Sequence, residues 1–416
     1  MLAMMKHIKR FALQGALGLA LCAGAPARAV EWHGLLDLRA IAVDADRSWT
    51  NEGLGKLRYD RHSRGVDLGQ AFLRAEGEPL DAVSAVMVLD ASGDRRGVLD
   101  VTEAWLGWNP VPGGPWKMRV KAGAFFPPTS IEVDYDSIGW TPSRTVSSSA
   151  INSWIGEELR TKGIEAALSH LGRLDGSPHD YGATVGLFKG NDPAGTLLAW
   201  RGWAIGDRIT GLRESIRLAD LPVYRADGAI ARQDRTIHVF REVDNRLGYY
   251  AGAHYSYAGM VEVAALHYDN RGEPLAVING QYSWDTRFDH LSLHLRARKQ
   301  WELLFQAMHG ATTMGANAVS LDYTAWYVLA SRPLGPGTLA LRYDRFTTRE
   351  HDALPSDPNG ESGRAYTLAY NYHLGPSLAL VTELQLVRSS RSARVLIGQA
   401  VSQTERGLTA ALRWQF

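Results

Sequence analysis

Residues 407–416 read GLTAALRWQF, with Leu408, Ala410, Leu412, Trp414 and Phe416 at every second position and Thr409, Ala411, Arg413 and Gln415 between them. Period two is the pleat of a β-strand, whose alternate side chains stand on opposite faces. One face of this strand is therefore apolar and the other wet. The mean hydropathy of the chain is −0.20, so the sequence as a whole is not greasy. A solvent-exposed edge strand carrying Trp414 and Phe416 would be an aggregation hazard unless something covered it. What covers it decides the fold.

At the other end, Lys6, Lys9 and Arg10 precede an apolar run over 11–23, and Ala27-Arg28-Ala29 follows in an A-x-A arrangement. Residues 1–29 accordingly read as a secretory signal peptide. The run is too short for a membrane-spanning helix, which needs about 20 residues. The single cysteine, Cys22, lies inside it, so residues 30–416 can form no disulfide. Nothing beyond residue 29 approaches 18 consecutive apolar residues, so a membrane location requires a barrel. Lys and Arg total 45 against 44 Asp and Glu, which removes the electrostatic case for nucleic acid as a partner. The 13 Trp, 16 Tyr and 42 Gly suit interfacial girdles and tight turns.

Alternating segments recur along the chain at 35–43, 66–76, 82–89, 101–108, 116–126, 162–171, 181–189 and 247–257. They continue at 261–268, 290–298, 301–309, 321–330, 338–347, 363–373, 378–387 and 405–416. That makes about sixteen strands, an even number as a closed bacterial barrel requires. Short connections (EPL, PVPGG, AGM, RKQ, PLGPG, GPS) follow the even-numbered strands, and longer ones follow most odd-numbered strands. Short periplasmic turns opposite long outer loops are the signature of an outer-membrane barrel, whereas a soluble propeller or sandwich spaces its strands more evenly. The expected fold class is all-β, a transmembrane antiparallel barrel over 30–416 in the bacterial outer membrane. Lipid then covers the apolar face of the last strand. Trp414 and Phe416 fall at the periplasmic interface, where a final aromatic resembles the signal read by the barrel assembly machinery.

The fifth segment, WKMRVKAGAFF at 116–126, sends Met118, Val120, Ala122, Ala124 and Phe126 one way, outward, and Lys117, Arg119 and Lys121 the other. The three cations share an inner face at intervals of about 6–7 Å. After them comes a connection at 127–161, much longer than the usual 4–6 residues. Ser149 followed by AINSWIGEEL reads as a capped helix within it. It is the third outer loop and the candidate to narrow a pore, with Glu132, Asp134, Asp136, Glu157 and Glu158 as its carboxylates. A second long connection at 190–246 is rich in tryptophan and alternating charge, which favours an ordered cap or a fold-back against the wall over disorder.

The stretches VKAGAFFPPTSIE (120–132) and NSWIGEELRTKGIEA (152–166) resemble the corresponding parts of the phosphate-selective porin family, over residues 117–170. The resemblance implies a sixteen-stranded, trimeric channel with Lys117, Arg119 and Lys121 as anion contacts.

Further inward positions carry Arg296, Arg298, Arg342 and Arg413, set against Glu103, Glu165, Glu262, Glu302 and Glu383 on other inner faces. Mixed charge of this kind predicts weak selectivity. No G-x-S-x-G, H-E-x-x-H or phosphate-loop pattern occurs, so no catalytic residue or cofactor is expected. His290 and His294 share a face but lie about 13 Å apart along a strand, too far to hold one metal. The sequence therefore reads as a passive channel for small hydrophilic solutes with an anion preference. A barrel enzyme acting on lipid or peptide, and a non-conducting barrel that binds a ligand, are the alternatives.

Overall fold

The computed structural model describes residues 29–416 except 64, 95–98, 298–299 and 353, so the signal-peptide reading lies almost wholly outside the described residues. Sixteen strands form one closed sheet: β1 Glu31–Asp44, β2 Gly65–Leu80, β3 Val83–Ala91, β4 Asp100–Trp108, β5 Trp116–Phe125, β6 Thr161–His170, β7 His179–Lys189 and β8 Gly248–Tyr257. The sheet continues with β9 Val261–Asp269, β10 Asp285–Ala297, β11 Trp301–Met314, β12 Val319–Leu334, β13 Gly337–Glu350, β14 Glu361–His373, β15 Leu378–Arg391 and β16 Ser402–Gln415. Each strand runs antiparallel to the next. β16 closes on β1 in a register from Leu35 opposite Gln415 to Asp44 opposite Arg406.

Every alternating segment of the sequence corresponds to one of these strands. Several are longer than the hydropathy pattern suggests. β11, for example, runs on to Met314 through Ala311, Thr312 and Thr313, because above the apolar band an outward residue need not be apolar and the period-two signal fades. One side chain is placed otherwise than expected. Phe126 lies just past β5, is 2% exposed, and stacks inside the barrel on Trp140 with ring centroids 4.1 Å apart. The strict alternation ends at Gly123, whose φ of +141° lets the backbone come so close to Ala104 and Trp105 that a Cβ would lie 2.3 Å from the Ala104 carbonyl oxygen.

The outer wall is apolar, with Leu106, Met118, Ile164, Leu341, Leu368 and Leu408 among its exposed side chains. Trp108, Trp116, Tyr257, Trp301, Tyr372, Trp414 and Phe416 gather at the end where the short turns lie. This is the belt and girdle of a membrane barrel.

At the seam the last residue is bonded as well as greasy. The Gly34 amide donates to the Phe416 carbonyl at 2.9 Å, and the Phe416 amide donates to the Gly34 carbonyl at 3.1 Å. The Phe416 ring covers Gly34, where a Cβ would sit 2.2 Å from its Cζ. Gly34→Val should therefore force the ring off the seam, at the cost of about 1–3 kcal/mol typical of overpacking. The measurable result is a smaller heat-modifiable fraction on electrophoresis. Gly375→Ala, which has open space around it, should leave that fraction unchanged.

Candidate functional site: the occupied lumen

The connection over 126–160 turns into the barrel, and its helix α1, Ala150–Glu158, is buried along its whole length. Ser149 caps it, its hydroxyl accepting from the Asn152 amide. A helix end inside a barrel has little water to satisfy it, so the remaining amides need protein acceptors. Glu132 takes the Ser149 amide at 3.0 Å and Asp344 of β13 takes the Ala150 amide at 3.1 Å. Both acids also complement the positive end of the helix dipole. Gly156 lets Trp140 lie against the helix, since a Cβ there would be 2.9 Å from the indole nitrogen.

The wall holds this loop by charge. Arg342 of β13 is fully buried and pairs with Glu132 at 2.7 Å and Asp344 at 2.8 Å, while donating to the carbonyls of Ser147 and Ser148. Arg413 of β16 pairs with Asp37 at 2.9 Å and donates to the carbonyls of Pro142 and Thr145. Glu383 of β15 accepts the amides of Val146 and Ser147. Arg342 and Arg413 are thus occupied by the loop and are not free anion contacts.

The connection over 190–247 also enters the lumen, with helix α2, Thr196–Trp200, buried throughout. Asp207 from it receives Arg39 of β1 and Arg58, and Arg58 also pairs with Asp94 at 2.9 Å. Lys56 and Arg391 share Glu361, at 2.7 and 3.0 Å, and Arg391 donates to the Ala199 carbonyl. Along the upper inner wall of β7 to β10, Phe188, Tyr268 and Phe288 stack in sequence, and Trp154 of α1 meets Phe288 edge-on. The long connections fill this part of the barrel as a packed core.

The three cations on β5 meet different surroundings. Lys117 is exposed and makes no ion pair among the described residues. Arg119 lies 3.6 Å from Glu165. Lys121 is buried, its ammonium over the rings of Trp105 and Phe125 at 4.9 and 5.6 Å. Arg296 pairs with Glu262 at 2.6 Å and remains half-exposed. Arg298 lies outside the described residues. Glu132, Glu157 and Glu158 are buried, Glu157 against Arg201 and Glu158 accepting from the Leu197 amide. Asp134 and Asp136 are exposed at the tip of the loop.

Between that tip and the wall lies a cavity of about 590 Å³, lined by Asp134, Arg144, Arg296, Glu302, Asn371 and Arg413 among others. Arg144 of the loop grips Glu302 of β11 with two hydrogen bonds, at 2.7 and 3.1 Å. On the inner faces of β6 to β9, small or polar residues, Ala167, Thr184, Gly252, His254 and Ala264, are only half-buried.

Sequence reasoning did not find Arg39, Asp37, Lys56, Arg58, Asp207, Glu361 or Arg391. Arg39 and Asp37 do stand on the inward positions of the first strand, and that was the available signal. Nor did it find Asp192, Glu242 and Asp244, whose carboxylates come within 4.8 Å of one another in the second plug segment. Asp192 accepts the amides of Val243 and Asp244, and burial pushes its carboxyl up to about 6.

Two outcomes follow. Arg342→Met should leave Glu132 and Asp344 buried without their cation, a loss of about 3–5 kcal/mol, and should lower the thermal midpoint in detergent far more than Arg345→Gln on the outer wall. Burial pushes the Glu158 carboxyl up from 4.5 to about 7, and Glu157 shifts the same way. A raised folded-state value means the packed loop favours the neutral acid. That contribution is complete below about 4.5 and is lost as pH rises through about 7. The loop should therefore be held less firmly at pH 8 than at pH 5, and Glu158→Gln should flatten this dependence in a proteolysis series.

No protein-family model matches the chain, and no curated protein matches it. Solved structures do. An anion-selective porin from Comamonas acidovorans is 13% identical with a TM-score of 0.52, over 93% of this chain and 99% of that one. The outer membrane channel DcaP of Acinetobacter baumannii is 11% identical with a TM-score of 0.53, over 94% and 98%. A loop L8 deletion mutant of OmpT, an outer membrane protein of Vibrio cholerae, is 10% identical with a TM-score of 0.50, over 94% and 100%. At such identities the likeness is one of fold. With its apolar belt and aromatic girdle, the chain is a bacterial outer-membrane β-barrel with the architecture of the porins.

Proposed function

We propose that the barrel is a passive outer-membrane channel for small hydrophilic solutes, with a preference for phosphate-like anions, and that it is not an enzyme. The observation that carries this reading is the charged mouth cavity of about 590 Å³ between the loop and the wall of β10 to β16, together with the half-buried inner wall of β6 to β9 beside Lys117 and Arg119. A volume of that size accommodates a small molecule. Solute entering from the periplasmic side meets Arg144, Arg296 and Arg119, each beside a carboxylate, and Lys117 without one. Net attraction for an anion then rests on Lys117 and on how far Arg119 leaves Glu165. The loop over 127–161 acts as the constriction, and Asp134 and Asp136 at its tip oppose the wall cations. The C-terminal Trp414 and Phe416 serve as the assembly signal, and the barrel works as a homotrimer, as the resemblance to phosphate-selective porins implies.

A second reading is favoured by the packed upper lumen. With Trp154 of α1 packed on the wall row of Phe188, Tyr268 and Phe288, the barrel would hold a ligand in its periplasmic mouth without conducting.

Planar bilayers separate the two. Stepwise conductance supports the channel, and a silent bilayer with fully folded protein supports the ligand-binding barrel. Reversing Lys117, Arg119 and Lys121 to Glu should move the zero-current potential toward cations in a salt gradient, most at low salt where screening is weak. Removing residues 132–156 should raise the single-channel conductance.

A further inference from the structure

The outer wall of β13 to β16 departs from the apolar pattern in an ordered way. On the lipid-facing positions Arg345, Arg364 and Arg388 stand directly opposite one another on three successive strands, with Trp326 opposite Arg345 on the other side. All three guanidiniums are exposed, and none makes an ion pair or a hydrogen bond among the described residues. Like charges set opposite each other across strands are destabilising when nothing of opposite sign covers them. On β13 to β15 the layers next to this row are uncharged. Above the arginines runs a row of hydroxyls, Thr347, Ser362, Ser390 and Ser402, paired in register. Below them come Tyr343 and Tyr366, with ring centroids 5.1 Å apart, then Leu341, Leu368, Leu384 and Leu408.

Two grooves open on this wall beneath the arginines. One, of about 420 Å³, runs between Val328, Leu341, Tyr343, Tyr366, Leu368 and Leu384. The other, of about 590 Å³, lies between Ala42, Leu384, Leu386 and Leu408, with Arg406 and Asp44 also in its lining. Arg364 is eight residues from Tyr372 of the periplasmic girdle, about 27 Å along the strand and about 20 Å along the membrane normal at a tilt of about 40°, which puts the triad near the outer edge of an apolar band about 25 Å tall.

We propose that this wall binds an anionic glycolipid of the outer leaflet. Its phosphates lie on Arg345, Arg364 and Arg388, its sugar hydroxyls on the hydroxyl row, and its acyl chains in the two grooves. Guanidinium groups bind phosphate in pairs of parallel hydrogen bonds, and strands spaced about 4.8 Å apart place neighbouring guanidiniums within reach of one phosphate. The order of hydroxyl, cation, aromatic and aliphatic layers matches the order of sugar, phosphate, interface and chain in such a lipid. It does not match a free anion, which would leave the grooves unused. The site stands on the outside of the barrel, so it holds whether or not the lumen conducts.

The test uses the full barrel in detergent with three probes: a diphosphorylated lipid A, a zwitterionic phosphatidylcholine and inorganic phosphate. Bound lipid is read by native mass spectrometry and by the thermal midpoint. The expected result is retention of lipid A by the native barrel and at least about tenfold weaker retention by the triple variant Arg345→Gln, Arg364→Gln and Arg388→Gln, the change that losing one charge-assisted pair produces. If the triple variant does not assemble, Arg364→Gln alone is read for the same direction. Equal retention by native and variant barrels, or equal binding of phosphatidylcholine, overturns the proposal. So does a midpoint shift with inorganic phosphate as large as with lipid A, which would assign the arginines to a free anion. Loss of an oligomer in the variant in lipid-free detergent also overturns it, since the row would then face a second copy of the chain.

Discussion

Backbone amides that cross a bilayer have no water to bond, and that constraint governs this structure. A sheet satisfies it only by closing, and here closure rests on β1 and β16, with Phe416 bonded to Gly34 at the seam. Closure fixes the total stagger around the ring, and the register of each pair within it decides the face on which each side chain stands. A slip of one residue would turn Asp37, Arg39 and Arg413 into lipid. The outer apolar belt and the charged inner wall are thus two consequences of one hydrogen-bonded ring.

The inner wall creates a second demand. Arg39, Arg342, Glu361 and Glu383 project into a space where isolated charges are costly, and each must be paired or hydrated. The long connections supply the partners. Glu132 and the carbonyls of residues 147 and 148 serve Arg342, Asp207 serves Arg39 and Arg58, and backbone amides of 146 and 147 serve Glu383. The same contacts that satisfy the wall anchor the loops, so loop position and wall charge are one coupled device. The half-open remainder, along β6 to β9, is where the inward residues are small and few charges needed covering.

How much of this could be read in the sequence follows from the range of each interaction. The strands were legible because their signal is local and repeated, and the helix α1 because Ser149 and the apolar spacing of Ile151, Trp154, Ile155 and Leu159 lie within one short segment. The inward orientation of Arg342 and Arg413 was legible from period two. Their occupancy was not, since Glu132 is 210 positions from Arg342 and the Thr145 carbonyl is 268 positions from Arg413. Phe126 was misplaced because alternation carries no warning of the backbone turn at Gly123. The arginine triad escaped notice for a related reason, as Arg345, Arg364 and Arg388 come together only once register is known.

Amide hydrogen exchange of the barrel in lipid bilayers tests the central claim, that the third outer loop is packed inside and held by the wall. The account predicts that the amides of residues 153–159 in α1 exchange as slowly as those of β12 and β13, whose side chains enclose them. Exchange of those amides at the rate of exposed loop segments such as 111–114, with the strands still protected, would contradict it.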